Sequence, residues 1–98
     1  MPFTHIVTFK WKADAAAATC DRVTEALTAL IPQLQDVQSY LCGPDIGLTP
    51  SAHDYAVVGT FTRRIDFENY RDHAEHQRIL RQLIVPQLDR RTVVQLES

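Results

Sequence analysis

A chain of 98 residues with 45% hydrophobic and 22% charged side chains has the composition of a globular protein, which excludes a disordered segment. The length is typical of one compact domain, and we expect a single domain over residues 1–98. The formal net charge of -2 gives no general attraction to polyanions, so nucleic acid is not an expected partner.

The two cysteines and the apolar segments exclude several further classes. Cys20 and Cys42 do not form a close metal-binding or redox pair, and each is expected to pack as a small apolar side chain. No apolar stretch approaches the roughly 20 residues that a membrane span requires. The N-terminus also lacks the features of a secretory leader, so we expect a cytoplasmic protein without a membrane partner.

The first elements along the chain are predicted to be a strand and a helix. Strict alternation over residues 3–11 predicts a strand, and it places His5 on the more apolar face with Val7 and Phe9. Asp14 is the expected cap of the helix, because apolar residues recur at helical spacing after it. Pro32 is expected to end or kink this helix near Ile31.

Two more strands are predicted in the middle of the chain. Residues 37–42 alternate and run into Gly43 and Pro44, which we interpret as a turn that opens a loop. Residues 54–62 form the third predicted strand, with one face made of Tyr55, Val57, Gly59 and Phe61.

The last third of the chain predicts a broken helix and a final strand. Asp66 is the expected cap of a first helical piece, and a second runs from about residue 74 to 85, before Pro86. One stripe of that second piece carries His76, Ile79, Leu80, Leu83 and Ile84. Residues 91–97 alternate around Val93, Val94 and Leu96 and form the fourth predicted strand.

The element order βαββαβ predicts an α+β protein with the ferredoxin-like arrangement, a four-stranded antiparallel sheet with helices on one face. The opposite face of the sheet would carry Ile6, Ala56, Val58 and Val94. A monomer would leave this apolar face in water, so we expect a homodimer that pairs the two sheets.

The sequence resembles the stress-responsive α/β-barrel (Dabb) family across essentially its whole length. Four segments carry the resemblance, and they are residues 5–10, residues 55–61, Tyr70 with residues 73–77, and residues 91–94. The resemblance implies a dimeric α/β barrel built from two ferredoxin-like protomers. It does not imply one particular reaction, since the family includes plant stress-induced oligomers as well as enzymes.

One branch of that family, a plant polyketide cyclase, uses a tyrosine and a histidine of the helical motif together with an N-terminal histidine. By motif position these residues correspond to Tyr70, His76 and His5. The sequence departs from the family pattern at Ala74, where proline commonly follows the first histidine of the motif. Because alanine favours helix more than proline does, we expect the two helical pieces to join more smoothly here.

Each of the three residues has a structural and a catalytic interpretation. His76 could hold the helix to the sheet through a hydrogen bond to His5 or to the backbone, or it could be a general base. Tyr70 could be a core residue with its hydroxyl at the surface, or it could donate to a substrate carbonyl. The catalytic interpretation gives His5 the role of orienting the base, and it requires Tyr70 and His76 to face one cavity.

A pocket for a small apolar or aromatic molecule is expected between the sheet and the helices. Its expected lining is Val7, Phe9, Tyr55, Val57 and Gly59, although aromatic residues on strands are more often core, and Gly59 indicates either open space or close packing. His73 and His76 lack an obvious third ligand, so neither a metal nor another cofactor is expected. Three functions stay open at this point: a ligand-binding family member, a cofactor-independent cyclase, isomerase or oxygenase, and a non-catalytic assembly protein.

Overall fold

The structure is a computed structural model that describes all 98 residues. Four strands form one sheet in the order β2-β3-β1-β4, and every neighbouring pair is antiparallel. The strands are β1 (Phe3–Trp11), β2 (Val37–Pro44), β3 (Tyr55–Phe61) and β4 (Leu88–Glu97). Three α-helices, α1 (Thr19–Leu30), α2 (Arg64–Asp72) and α3 (Ala74–Ile79), complete the order. The predicted ferredoxin-like α+β arrangement is confirmed.

The start of α1 differs from the prediction, because Asp14 does not cap it. The N-cap position is Ala18, which makes no side-chain cap hydrogen bond. Residues before it form turns, in which the backbone N–H of Ala15 donates to the carbonyl of Lys12, so Asp14 lies too far upstream to cap the helix. The predicted end is confirmed, since α1 stops at Leu30 and a single 3₁₀ turn, Ile31–Gln33, contains Pro32.

The start of α2 also corrects a prediction. Asp66 is not the N-cap but the third residue of the helix, and Arg63 occupies the cap position. The Asp66 carboxylate accepts a hydrogen bond from the backbone N–H of Arg63 at 2.9 Å, the reciprocal half of a capping box. The buried carboxylate therefore holds the chain where β3 turns into α2.

Ala74 does not join the two helical pieces, contrary to the expectation. His73 has an extended backbone conformation with ψ 134°, which ends α2 and begins α3. Its Nδ1 accepts a hydrogen bond from the backbone N–H of Glu75 at 3.1 Å, so the imidazole caps α3. After α3 the chain continues through a π-helical turn, Leu80–Ile84, and a 3₁₀ turn, Val85–Gln87. The predicted helix up to residue 85 is therefore α-helical only to Ile79.

The strand ends depart from the sequence prediction at two places. β2 continues through Gly43 and Pro44, which pair with β3 and do not form the expected turn. An irregularity between Val37 and Ser39 shifts the register, so strict alternation does not hold along this strand. β4 begins at Leu88, three residues before the predicted start.

The core lies between the helices and one face of the sheet, called the inner face from here on. Thirteen buried hydrophobic residues form one cluster. The strands contribute Phe3, Val7, Phe9, Tyr55, Val57 and Phe61, and the helical segments contribute Val23, Leu27, Leu30, Phe67, Tyr70, Ile79 and Ile84. The predicted inner faces of β1 and β3 are thus confirmed.

The opposite, outer face of the sheet carries a continuous apolar row. Leu41, Val58, Ile6 and Val94 are directly paired neighbours across all four strands. Nothing in the chain covers this row, and Leu41 is 72% exposed. None of the helices is both long enough and apolar enough to cross a membrane.

Candidate functional site

A cavity of about 290 Å³ lies between the inner face of the sheet and the segment from α2 to the π-helical turn. Its apolar wall includes Val7, Phe9, Leu27, Val57, Leu80 and Ile84. Its polar wall is made of His5, Tyr70, Arg71, His76, Gln77, Arg91 and Gln95. The cavity therefore combines an apolar interior with polar groups from β1, β4, α2 and α3.

The three residues singled out from the sequence all contribute to this cavity. The ring of Tyr70 packs on the ring of His76 with a centroid separation of 4.3 Å. The ring of His5 lies 6.5 Å from that of Tyr70 and 4.8 Å from that of Phe67. Strand β1 and the two helices thus bring together groups that are far apart in the sequence.

The break at His73 orients His76. The carbonyl of Arg71, left free at the end of α2, accepts a hydrogen bond from Nδ1 of His76 at 2.9 Å. A neutral imidazole that donates through Nδ1 carries its lone pair on Nε2. Nε2 makes no hydrogen bond within the protein, and no fully buried side-chain nitrogen or oxygen lacks a partner. The basic nitrogen of His76 is therefore accessible to solvent.

Both imidazoles of the cavity are held in their neutral form. Burial lowers the pKa of His5 to about 4, with further contributions from His76 and Arg91. Burial also lowers the pKa of His76, against the opposing effect of the hydrogen bond to the Arg71 carbonyl. The side-chain amide of Gln95 donates to Nδ1 of His5 at 3.3 Å. The predicted hydrogen bond from His76 to the backbone is present, whereas the two histidines form no hydrogen bond with each other.

Tyr70 differs from the expectation that its hydroxyl lies at the surface, since only 3% of the residue is exposed. Its ring belongs to the cavity wall, and its hydroxyl is hydrogen-bonded to that of Tyr40 on β2 at 2.8 Å. Burial raises the pKa of Tyr70 to about 12, and burial beside Tyr70 also raises the pKa of Tyr40. Both phenols therefore stay protonated near neutral pH.

The structure brings three of the five expected lining residues to the cavity. Val7, Phe9 and Val57 form part of its wall. Tyr55 lies elsewhere on the inner face, with its hydroxyl hydrogen-bonded to that of Thr24 on α1. Gly59 is a site of close packing, because a Cβ there would come within 3.1 Å of the rings of Tyr40 and Phe61.

Sequence reasoning did not identify four polar residues of the cavity wall, or Tyr40 beside Tyr70; the four are Arg71, Gln77, Arg91 and Gln95. Arg91 and Gln95 pair with Phe9 and His5, so they alternate with the outward-facing residues of β4. The alternation of residues 91–97 therefore indicates that Arg91 and Gln95 lie on the inner face. No comparable signal marked Tyr40, because its hydrogen bond to Tyr70 depends on the packing of β2 against α2. The structure contains no group of three or more His, Cys, Asp or Glu side chains that could hold a metal ion.

Solved structures with the same fold include bacterial and plant proteins. A dimeric ferredoxin-like protein of unknown function from Thermobifida fusca YX is 31% identical, with a TM-score of 0.91 over 100% of this chain and 92% of that one. A second protein of the same description, from Jannaschia sp. CCS1, is 25% identical, with a TM-score of 0.80 over the whole of both chains. A hydroxynitrile lyase from Passiflora edulis shares the fold at 17% identity, with a TM-score of 0.80 over 97% of this chain and 91% of that one.

No curated protein matches the chain. The sequence pattern of the stress-responsive A/B barrel domain matches residues 3–98, which is nearly the whole length. The resemblance inferred from residues 5–10, 55–61, 73–77 and 91–94 is thus confirmed. The chain belongs to the stress-responsive A/B barrel domain family.

Proposed function

We propose that this protein binds a small, largely apolar or aromatic molecule in the cavity between the sheet and the helices. The observation that carries the proposal is the convergence of His5, Tyr70 and His76 on one cavity with an apolar wall. An apolar cavity of about 150 Å³ is large enough for benzene, so about 290 Å³ accommodates a substituted aromatic ring. The polar groups would then fix the orientation of the ligand.

Acetophenone is a suitable probe, because it combines an aromatic ring with one carbonyl oxygen. We expect saturable shifts of cavity resonances in an NMR titration of the protein. Val93→Phe places a ring where Val93 lines the cavity and should weaken binding at least about tenfold. Val85→Phe, at an exposed valine outside the cavity, is the control and should bind as the wild type does.

Equal binding to wild type and Val93→Phe would place the ligand elsewhere, and an absence of saturable shifts would count against the binding function. An independent measurement is native mass spectrometry of the purified protein for a co-purified ligand. An intact assembly that neither retains a ligand nor binds acetophenone would favour the non-catalytic assembly role.

A second candidate function, cofactor-independent acid–base catalysis, is favoured by the state of His76. Its neutral ring presents a free Nε2, the arrangement that a general base requires. In the proposed reaction Nε2 removes a proton from a carbon next to a carbonyl group. The electron pair of that C–H bond forms a carbon–carbon double bond, and the π pair of the carbonyl group moves onto its oxygen, where the hydroxyl of Tyr70 donates a hydrogen bond. This role requires Tyr40 to be the donor in the hydrogen bond between the two tyrosines.

The exchange of the acetophenone methyl protons for deuterium in D₂O reports the proposed proton removal. His76→Gln should slow the protein-dependent exchange by about a hundredfold or more and leave acetophenone binding within a few-fold. His53→Gln is a matched control, since the His53 imidazole bonds the Thr8 hydroxyl and lies outside the cavity. Undiminished exchange in His76→Gln would exclude His76 as the base.

We also propose that the protein is a homodimer that pairs the outer faces of two sheets. The support is the exposed apolar row of Leu41, Val58, Ile6 and Val94, together with the dimeric description of the Thermobifida fusca and Jannaschia proteins. Light scattering should give twice the chain mass of 11.2 kDa at micromolar concentration. A monomeric mass under these conditions would contradict the dimer.

A further inference from the structure

The charged groups of the cavity are all cationic, although the chain as a whole is acidic. The polar wall holds Arg71 and Arg91 beside two neutral histidines, and no aspartate or glutamate lines the cavity. The net charge of the chain is -2. The positive character is therefore local to the cavity and does not reflect the overall composition.

The two arginines are not equivalent. The guanidinium of Arg71 is held by the carboxylate of Asp72 through two hydrogen bonds of 2.9 and 3.1 Å, and it lies 6.0 Å from the centroid of the Phe67 ring. Arg91 makes no ion pair and no side-chain hydrogen bond. The free cation of the cavity is thus Arg91.

The strand register explains why Arg91 belongs to the cavity. Arg91 pairs with Phe9 of β1, and directly paired residues of antiparallel strands point to the same face. Because Phe9 is buried on the inner face, Arg91 also lies on the inner face. Arg91 itself is exposed to solvent. Arg91 therefore lies where the cavity opens to solvent, and the interior of the cavity is apolar.

We propose that Arg91 binds a carboxylate of the ligand, so that the cavity selects small amphiphilic acids, with an apolar or aromatic body and one anionic group. This inference rests on the proposed binding function and narrows its ligand class. A guanidinium offers paired N–H donors that match the geometry of a carboxylate. The apolar body would lie against Val7, Phe9 and Ile84, and the acid group would stay at the cavity mouth.

A matched pair of probes tests the assignment: 3-phenylpropanoate and its neutral amide, 3-phenylpropanamide. Because Arg91 is exposed and its charge is screened, we expect the wild type to bind the acid about tenfold more tightly than the amide, measured by NMR titration. Arg91→Gln should bind both probes with the affinity of the amide. Retained affinity for the amide shows that this variant still folds and keeps its cavity.

Arg90→Gln is the control, because Arg90 is the adjacent arginine but pairs with Lys10 on the outer face, near Asp89 at 3.8 Å. It should keep the full preference for the acid. Raising the salt concentration should weaken binding of the acid to the wild type and have little effect on Arg91→Gln.

The possible failures are distinguishable. If the wild type binds acetophenone but binds the acid no better than the amide, the role of Arg91 is wrong and the binding function stands. The role of Arg91 is equally wrong if Arg91→Gln keeps the tenfold preference. If neither acetophenone nor the two probes bind, both the binding function and the role of Arg91 are wrong.

Discussion

Two rows of side chains cross the sheet one residue apart, and the row that faces the helices is the more polar of the two. The inner row is Tyr40, Gly59, His5 and Gln95, and it faces the helices. The outer row is Leu41, Val58, Ile6 and Val94, and no part of the chain covers it. A two-layer protein ordinarily places apolar residues on the inner face and polar residues outside.

This reversal is confined to a short part of the sheet. Further along β1 the usual arrangement holds. The inner face carries the apolar residue Phe9, and the outer face carries the polar residue Thr8, which pairs with Thr92. Buried polar groups and exposed apolar groups each cost stability unless they gain a partner. The polar groups of the inner row have such partners, since Gln95 bonds His5 and Tyr70 bonds Tyr40. The outer row has none within the chain, and in the proposed dimer a second copy would supply it.

We expect the strongest effect from a substitution in the outer row. In the proposed dimer Val94 is buried against the partner, so Val94→Glu introduces one buried carboxylate from each copy. We expect the dimer dissociation constant to rise at least about a hundredfold, which is about 2.7 kcal/mol. Sedimentation velocity over a concentration series measures this constant.

Val85→Glu is a matched control for that variant. Val85 is 58% exposed and Val94 is 53% exposed, but Val85 lies in the 3₁₀ turn after the helices and not on the sheet. This variant should remain a dimer with the wild-type constant. A dimer that tolerates Val94→Glu would show that the outer row is not the interface.

An intermediate effect is expected at Gly59 in the inner row. A Cβ at this position would lie 3.1 Å from the rings of both Tyr40 and Phe61, which pack closely over the glycine. We expect Gly59→Ala to lower the free energy of unfolding by about 1 to 2 kcal/mol, because the aromatic rings must move. Chemical denaturation at one protein concentration measures the change.

Gly43→Ala separates this steric effect from the general effect of replacing a strand glycine. Gly43 lies in β2, and a Cβ there would meet nothing within 4 Å. The substitution should be neutral or stabilise the protein by less than about 1 kcal/mol. If both alanine variants had the same stability, the close packing over Gly59 would not matter energetically.

Sequence patterns predicted the parts of this fold that depend on local periodicity. Alternation identified β1 and β3 and their inner faces, and it placed His5 beside the helices. Helical spacing likewise placed His76 toward the sheet. These features follow from the side-chain periods of 2 and 3.6 residues, which are properties of the local backbone.

The remaining features depend on contacts that are distant in sequence or on local hydrogen bonds that compete with propensity. Ala74 favours helix, but His73 caps α3 with its own side chain and keeps the break. The irregularity near Val37 changes the alternation of β2, and only pairing with β3 reveals it. The partner of the Tyr70 hydroxyl is Tyr40, 30 residues away, so no local pattern could indicate it.

A weaker effect, a dependence of the free energy of unfolding on pH, is expected from His5 in the inner row. The pKa of His5 is lowered from 6.5 to about 4 by burial, so the unfolded chain binds a proton more readily than the folded protein. The stabilisation by neutral His5 is fully present above pH 6.5 and is lost as the pH falls toward 4. Because the side chain is only partly buried, we expect a loss of about 1 kcal/mol between pH 7 and pH 5.

Denaturation at pH 7 and pH 5, at one fixed protein concentration, measures this loss. His5→Gln should reduce the difference between the two pH values, since an amide does not titrate. Gly59→Ala is the control, because it lowers stability without removing a titrating group and should keep the wild-type difference. If the difference is the same in His5→Gln and the wild type, His5 is not the group responsible. The polar inner row would then not make the free energy of unfolding depend on pH through His5.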